Sequence, residues 1–171
     1  MNFRDLTAED IEVRVQSAKA NGIILLLYKN ARVDMNILDE TVGAENWQRE
    51  HYECKGNLFC RVGIDITESN SWVWKSDCGT ESNTEAQKGE ASDSFKRACF
   101  NWGIGRELYT SPFIWVSADK CNIKEREYNG KKIYSCNDNF EVEKIKIENK
   151  KIVGIAIVNA TTKQRCFVWK P

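Results

Sequence analysis

The sequence predicts an α+β chain, and three observations predict it. A sustained helical period runs from Thr84 to Trp102, strand signals fill the stretch from Trp47 to Lys75 before it, and alternating apolar and polar residues return after Pro112. The chain has 171 residues, 42% of them hydrophobic, which is enough apolar material for one ordinary core. One domain is therefore expected, with a core over 1–117 and a C-terminal hairpin and meander over 118–171 as an extension of it.

Thr7 followed by Glu9 and Asp10, with Ile11, Val15 and Ala18 at helical spacing, predicts an N-capped amphipathic helix ending near Asn21-Gly22. Ile23 to Tyr28 is the longest apolar run. It is too short for a helix of its own and reads as a buried strand, and it falls far below the roughly 20 residues of a membrane span. A second helix is expected from Arg32 to Val42, with Val33, Ile37 and Thr41 on one side and Gly43 as its stop. Phe59 to Ile66 alternates, and Trp72 and Trp74 share a strand face beyond a turn at Glu68-Ser69-Asn70.

In the long helix, Ala91, Phe95, Ala98 and Trp102 fall within a stripe about 60° wide and should be core, with Gly103 as the stop. Opposite them fall Gly89, Asp93, Lys96, Arg97 and Phe100. A phenylalanine between basic residues on an outward face suits a stacking platform or a contact to a neighbouring subunit. Asn129-Gly130 marks a hairpin turn, and 140–147, 151–158 and 165–169 form a meander around Asn149-Lys150 and Asn159-Ala160-Thr161.

Lys and Arg total 25 and so do Asp and Glu, but residues 1–87 carry 9 basic against 15 acidic side chains and residues 88–171 carry 16 against 10. Any claim of nucleic-acid binding must thus rest on local arrangement. Met1-Asn2-Phe3-Arg4-Asp5 shows neither a basic n-region nor an apolar h-region, so a cytoplasmic protein without a signal peptide and without membrane association is expected. The seven cysteines, at 54, 60, 78, 99, 121, 136 and 166, show no Cys-x-x-Cys, and His51 is the sole histidine. Buried, reduced thiols are the expectation, and no metal site.

Enzyme signatures are poor. Gly103-Ile104-Gly105 lacks a third glycine and follows a helix where a phosphate loop would precede one. A single histidine leaves no choice of nucleophile and base. Asp138 with Glu148-Asn149-Lys150 loosely fits the carboxylate plus Glu-x-Lys pattern of a metal-dependent nuclease, although the tip of a hairpin is where charges are simply solvated. Cations recur beside aromatic and glycine positions instead: Arg32, Arg49 near Trp47, Arg61, Lys88, Lys96-Arg97 and Arg106. Cations that track a backbone are what single-strand binding requires.

Ser76-Asp77-Cys78-Gly79-Thr80-Glu81-Ser82, Glu85 through Ala98 with Lys96-Arg97, and Trp102-Gly103-Ile104-Gly105 resemble the core of the Rad52/22 family of single-strand annealing proteins, especially its short phage and bacterial members. Upstream, Asn30-Ala31-Arg32-Val33-Asp34 through Gly43 and Trp47 resembles the same family's Arg-containing helix. Together these cover about residues 7 to 115. The resemblance implies an α+β subunit whose β-β-β-α unit forms the annealing core, with an antiparallel sheet packed on the long helix. It also implies a closed homo-oligomeric ring that binds single-stranded DNA in a groove and anneals complementary strands in recombination and repair, without ATP, cofactor or covalent chemistry. It assigns Arg32 and the Lys96-Arg97 pair as DNA contacts, and Arg49, Arg61, Lys88, Arg106 and Phe100 stand beside them as further candidates from the residue pattern. Phe100 stands where eukaryotic members carry another basic residue, so the groove is expected to be less basic. A single-strand binding protein or a recombinase is a candidate partner. The alternatives are the metal-dependent nuclease and a non-DNA oligomeric interaction protein, in which the opposite half-charges would serve subunit packing.

Overall fold

The computed structural model describes residues 1–66, 71–80 and 86–171, with side chains for all of these except 86–88. The expected turn at Glu68-Ser69-Asn70 and the expected start of the long helix at Thr84 lie outside them. The chain divides into two compact units. The first comprises Met1–Asp5 and Asn30–Arg106, the second Leu6–Lys29 and Glu107–Pro171.

In the first unit, helix α1 (Ala31–Val42) begins where Asn30 accepts hydrogen bonds from the Arg32 and Val33 amides through its side chain and ends at Gly43, whose φ of 86° a side chain would disfavour. Val33, Ile37 and Leu38 are its buried face. Three antiparallel strands follow, β3 (Trp47–Cys54), β4 (Asn57–Asp65) and β5 (Trp72–Cys78), with β4 in the centre. Cys60, Val62 and Ile64 of β4 are fully buried, as the alternation of that segment requires. Helix α2 (Ala86–Trp102) packs on β4, β5 and α1.

Phe95 and Ala98 of the expected stripe are fully buried, while Ala91 and Trp102 are half-buried. Ser94 and Cys99 are also fully buried, because a helix wedged between a sheet and a second helix buries a wider arc than one facing a single layer. The Trp102 indole donates to the Val62 carbonyl at 3.0 Å, and Leu58 donates its amide to Glu90 at 3.0 Å. The C-terminus of α2 closes as a Schellman turn: Gly103, at φ 94°, donates to Phe100, and Ile104 donates to Cys99 and is itself fully buried.

The second unit is built on one antiparallel sheet in the order β11-β10-β9-β1-β2-β6. Its strands are β1 (Glu12–Lys19), β2 (Gly22–Tyr28), β6 (Ile114–Ser117), β9 (Phe140–Glu148), β10 (Lys151–Asn159) and β11 (Gln164–Trp169). A separate hairpin pairs β7 (Ile123–Tyr128) with β8 (Lys131–Cys136) across Asn129-Gly130, both at positive φ as a type I′ turn needs. The sheet curls so that its edge strands β6 and β11 approach each other. Ile23, Ile114, Val116, Ile155 and Ile157 are in its core.

The helix expected over Thr7 to Gly22 is a correction. Thr7 does cap, its amide donating to the Asp10 carboxylate at 2.8 Å, but only for one 3-10 turn, Ala8–Asp10. The chain then runs as β1, paired with β2 from Glu12↔Tyr28 to Lys19↔Gly22. Ile11, Val15 and Ala18 fit the helical spacing, but Ile11, Val13 and Val15 fit a period of two, and β-branched residues beside a ready partner strand decide for the ladder. Gly22 is no helix stop: a Cβ there would lie 2.4 Å from the Trp115 ring and 2.5 Å from the Val116 carbonyl oxygen, so it is glycine because β6 passes too close. The cysteine expectation also needs amendment. All seven are free thiols, but Cys54 is exposed and Cys78 and Cys136 are half-buried, while Cys60, Cys99, Cys121 and Cys166 are buried. Burial pushes the Cys60, Cys121 and Cys166 thiols up to about 11, far from the thiolate.

Gly79, just past β5, meets α2 at still closer range. A Cβ there would stand 2.2 Å from the Glu90 carbonyl oxygen and 2.9 Å from the Ser94 amide nitrogen. Gly79→Ala should therefore lower stability by at least about 2 kcal/mol or prevent folding. Gly154→Ala, where the nearest atom is at 3.7 Å, should stay within about 0.5 kcal/mol of the parent in the same urea titration.

Candidate nucleic-acid interface

All eight candidate cations and aromatics belong to the first unit, yet its geometry sorts them into different places. Arg32 is exposed on the first turn of α1, the helix that packs against α2. Arg49 projects from β3 on the face turned toward α2, because its ladder partner is the inward Val62. Its guanidinium lies 4.7 Å from the Phe95 ring centroid. Trp47 and His51 flank Arg49 on that face. The Trp47 ring stacks on Phe95 at 6.1 Å and its indole donates to Asp39 at 2.6 Å, and His51 Nε2 is 3.1 Å from the Ala91 carbonyl oxygen. Two registered strand positions thus set an exposed arginine directly beside the long helix.

Lys96, Arg97 and Phe100 are half-buried on α2. Asp77 of β5 accepts from Arg97 at 3.3 Å, with both groups partly exposed. Asp77 in turn accepts from the Cys78 amide at 2.8 Å and Asn101 at 3.4 Å, so the carboxylate that steadies Arg97 is itself fixed. The sequence reading singled out Arg97 but not this partner. The pairing is invisible to helical projection, because it requires the β4–β5 register that puts Asp77 opposite the inward Cys60.

Two candidates are placed elsewhere. Arg61 alternates to the opposite face of β4, where it pairs with Glu50 at 2.5 Å and lies 4.6 Å from the Trp74 ring centroid. The same face carries the stacked Tyr52 and Phe59 rings, and Trp74 covers Gly63, where a Cβ would meet the indole at 2.8 Å. Arg106 closes the C-terminus of α2, donating to the Phe100 carbonyl at 2.8 and 3.0 Å and to Asn101 at 3.2 Å, the favourable end of the helix dipole for a cation. The Lys88 side chain lies outside the described residues. The candidates that remain on or beside α2 are therefore Arg49, Lys96, Arg97 and Phe100, with Arg32 on the neighbouring helix α1.

The nuclease pattern is not assembled. Asp138 precedes β9 and Glu148 ends it, so the extended strand holds them on the order of 25 Å apart, far beyond any shared ion. Glu148 pairs with Lys146 at 2.6 Å. Asp138 accepts from the Asn122 amide at 2.8 Å, the Asn122 side chain at 3.0 Å and the Asn159 side chain at 2.7 Å. Partial burial pushes its carboxyl up, but these hydrogen bonds outweigh burial and hold it below the ordinary aspartate value. Among the described residues, no group of three or more His, Cys, Asp or Glu side chains is arranged to hold a metal ion.

The fold and site together define an α+β protein of antiparallel sheets with a cation-bearing helix laid across one of them. The chain belongs to the Rad52/22 family of double-strand break repair proteins, whose family model matches residues 3–128. That membership places it in DNA repair and recombination, with DNA as its general partner. No curated protein and no solved structure matches the chain. No described helix is long and apolar enough to cross a membrane.

The Asp138 arrangement has a pH signature. Because its folded value is depressed, its contribution to stability is present above the unfolded value near about 4 and is lost as pH falls through the folded value. Asp138→Ala should cost about 1–3 kcal/mol in urea unfolding at pH 7, and the gap to the parent should narrow on acidification below about pH 4.

Proposed function

We propose that this protein binds single-stranded DNA along α2 and anneals complementary strands without ATP or a metal ion, as a large homo-oligomeric ring. The observation that carries the reading is the cationic helix, on which Lys96 and Arg97 flank the core stripe with the exposed Arg49 and the α1 arginine, Arg32, on neighbouring elements of the same unit. Membership of a DNA repair family supports it. Two complementary strands repel through their phosphates, and their bases must meet edge to edge before stacking stabilises the duplex. Cations that neutralise phosphate while leaving base edges outward lower the first barrier. Contacts of that kind carry no sequence information, which annealing of any sequence demands.

Arg97 has a second role in this reading. Its bond to Asp77 pre-orients the guanidinium at the cost of competing with phosphate for it. Surface pairs of this exposure are weak, so an incoming phosphate displaces the carboxylate readily. Phe100, half-buried between the helix cations and the chain end of α2, supplies an apolar surface against sugar or base where a further cation would add affinity.

Arg32→Ala, Lys96→Ala and Arg97→Ala should each weaken binding of a labelled single strand to a similar degree across sequences, and each should make the slope of log affinity against log salt shallower by about 1. Asp77→Asn should tighten binding by removing the competing charge. Energy transfer between two dye-labelled complementary oligonucleotides in chelator should report acceleration that falls with salt and is lost in the Lys96→Ala/Arg97→Ala double variant. Light scattering should give a mass many times the 19.7 kDa subunit. Parental binding by all three single variants overturns the site, and a strict magnesium requirement with strand loss overturns the function.

A further inference from the structure

Two cations from different elements of the first unit, Lys75 and Arg106, meet at one oxygen at the C-terminal end of α2. Ladder pairing puts Lys75 of β5 beside the inward Val62, on the face turned toward α2, and the Trp102 indole donates to the Val62 carbonyl at 3.0 Å. Lys75 therefore lies over the Trp102 ring, its Nζ 4.5 Å from the centroid, and donates to the Asn101 carbonyl at 2.9 Å. Arg106, just past the helix, donates to the same carbonyl at 3.2 Å and to that of Phe100 at 2.8 and 3.0 Å. No helical projection joins them, because one belongs to a strand.

What holds these two leaves their charge intact. Arg61 and Arg97 are each paired with a carboxylate, so each pair is close to neutral. Carbonyl oxygens and an indole ring carry no formal charge, and among the described residues neither Lys75 nor Arg106 has a carboxylate partner. Asp77 is on the same face of β5, two residues on, but Arg97, the Cys78 amide and the Asn101 side chain already engage it. The end of a helix contributes roughly half a negative charge, which two full positive charges outweigh. The helix end is closed, and it stays net positive.

A phosphodiester fits that chemistry. Lys75 is half-buried and Arg106 exposed, and a lysine with three donors beside an arginine with five carries more N–H groups than these two carbonyls accept. Asn101 stands one helical turn beyond Arg97, about 6 Å along the axis, a step that one nucleotide of an extended strand spans. Both cations are already fixed by their own contacts, so binding orders little that was mobile.

We infer that Lys75 and Arg106 form a phosphate clamp at the C-terminal end of α2, which holds the single strand as it leaves Lys96 and Arg97 and sets its path on the β5 side of the helix. The inference rests on the DNA-binding reading above and deepens it, because it adds a strand residue to a set of cations otherwise read from helices. Phe100 then lies between two phosphate contacts, and the nucleotide between them is drawn across its ring.

The experiment uses the full chain and a labelled 30-mer single strand, titrated at several salt concentrations. Lys75→Met removes the charge and keeps an unbranched stem over the Trp102 ring. It should weaken binding by about threefold to tenfold and make the slope of log affinity against log salt shallower by about 1, and Lys75→Arg should restore the slope. Lys131→Met, which removes an exposed charge from the second unit, should leave affinity and slope at the parental values. A parental slope in Lys75→Met overturns the clamp, since a lysine that only supports the helix end makes no phosphate contact. An equal loss in Lys131→Met overturns it too, because net charge alone then accounts for the effect. If Lys75→Met does not fold or changes oligomer mass, the parent decides: a photoreactive 30-mer should cross-link to residues 75 and 101–106, and cross-links confined to other residues overturn the clamp. Where the clamp falls but Lys96→Ala/Arg97→Ala still loses the 30-mer, the α2 reading stands. A parent that does not retain the 30-mer overturns both.

Discussion

The approach of α2 to the end of β5 is the constraint on which the first unit depends. The Glu90 carbonyl and Gly79 Cα region are so close that no side chain fits between them, and that contact sets how deep the helix lies on the sheet. Everything placed relative to α2 follows from it. Phe95 reaches full burial under Trp47 and Arg49, Trp102 reaches the Val62 carbonyl, and Asp77 comes within range of Arg97. A helix lifted by the width of one methyl group would weaken all of these together, since dispersion and hydrogen bonding both fall steeply over such a distance. A core position thereby governs the presentation of cations that face outward.

The same packing explains why similar-looking cations have dissimilar surroundings. Arg49 and Arg61 are twelve residues apart in adjacent strands, but strand alternation sends one toward α2 and the other to the far face of the sheet. Arg106 is held at the end of α2 by the Phe100 and Asn101 carbonyls. What remains around the helix is a small set of positive groups on rigid elements, steadied by a fixed carboxylate or by an aromatic face. Rigid placement matters for binding a flexible polyanion, because the strand already loses conformational freedom and a mobile site would lose more.

The second unit shows the opposite use of charge. Its curled sheet keeps Ile155 and Ile157 inside and turns lysines outward over a floor of Gly154 and Ala156, so its basic surface is a by-product of strand alternation along β9 and β10. Exposed pairs with Glu143 and Glu148 moderate that surface without cancelling it.

The sequence by itself determined the elements whose signals are local. The capped helix at 31–42 ending in Gly43, the long helix ending in a Schellman glycine, the Asn129-Gly130 hairpin and the C-terminal meander all depend on neighbouring residues, and their residues name them. Arg32, Lys96 and Arg97 are legible as candidates for the same reason, as motif members on helices. Tertiary structure decided whatever depends on partners distant in the chain. Residues 12–19 satisfy helical and strand spacing alike, and only β2 on one side and β9 on the other settle the matter. Asp77 meets Arg97, Arg49 meets Phe95, and Asp138 and Glu148 part company because strand register fixes faces and distances that no spacing along the chain encodes.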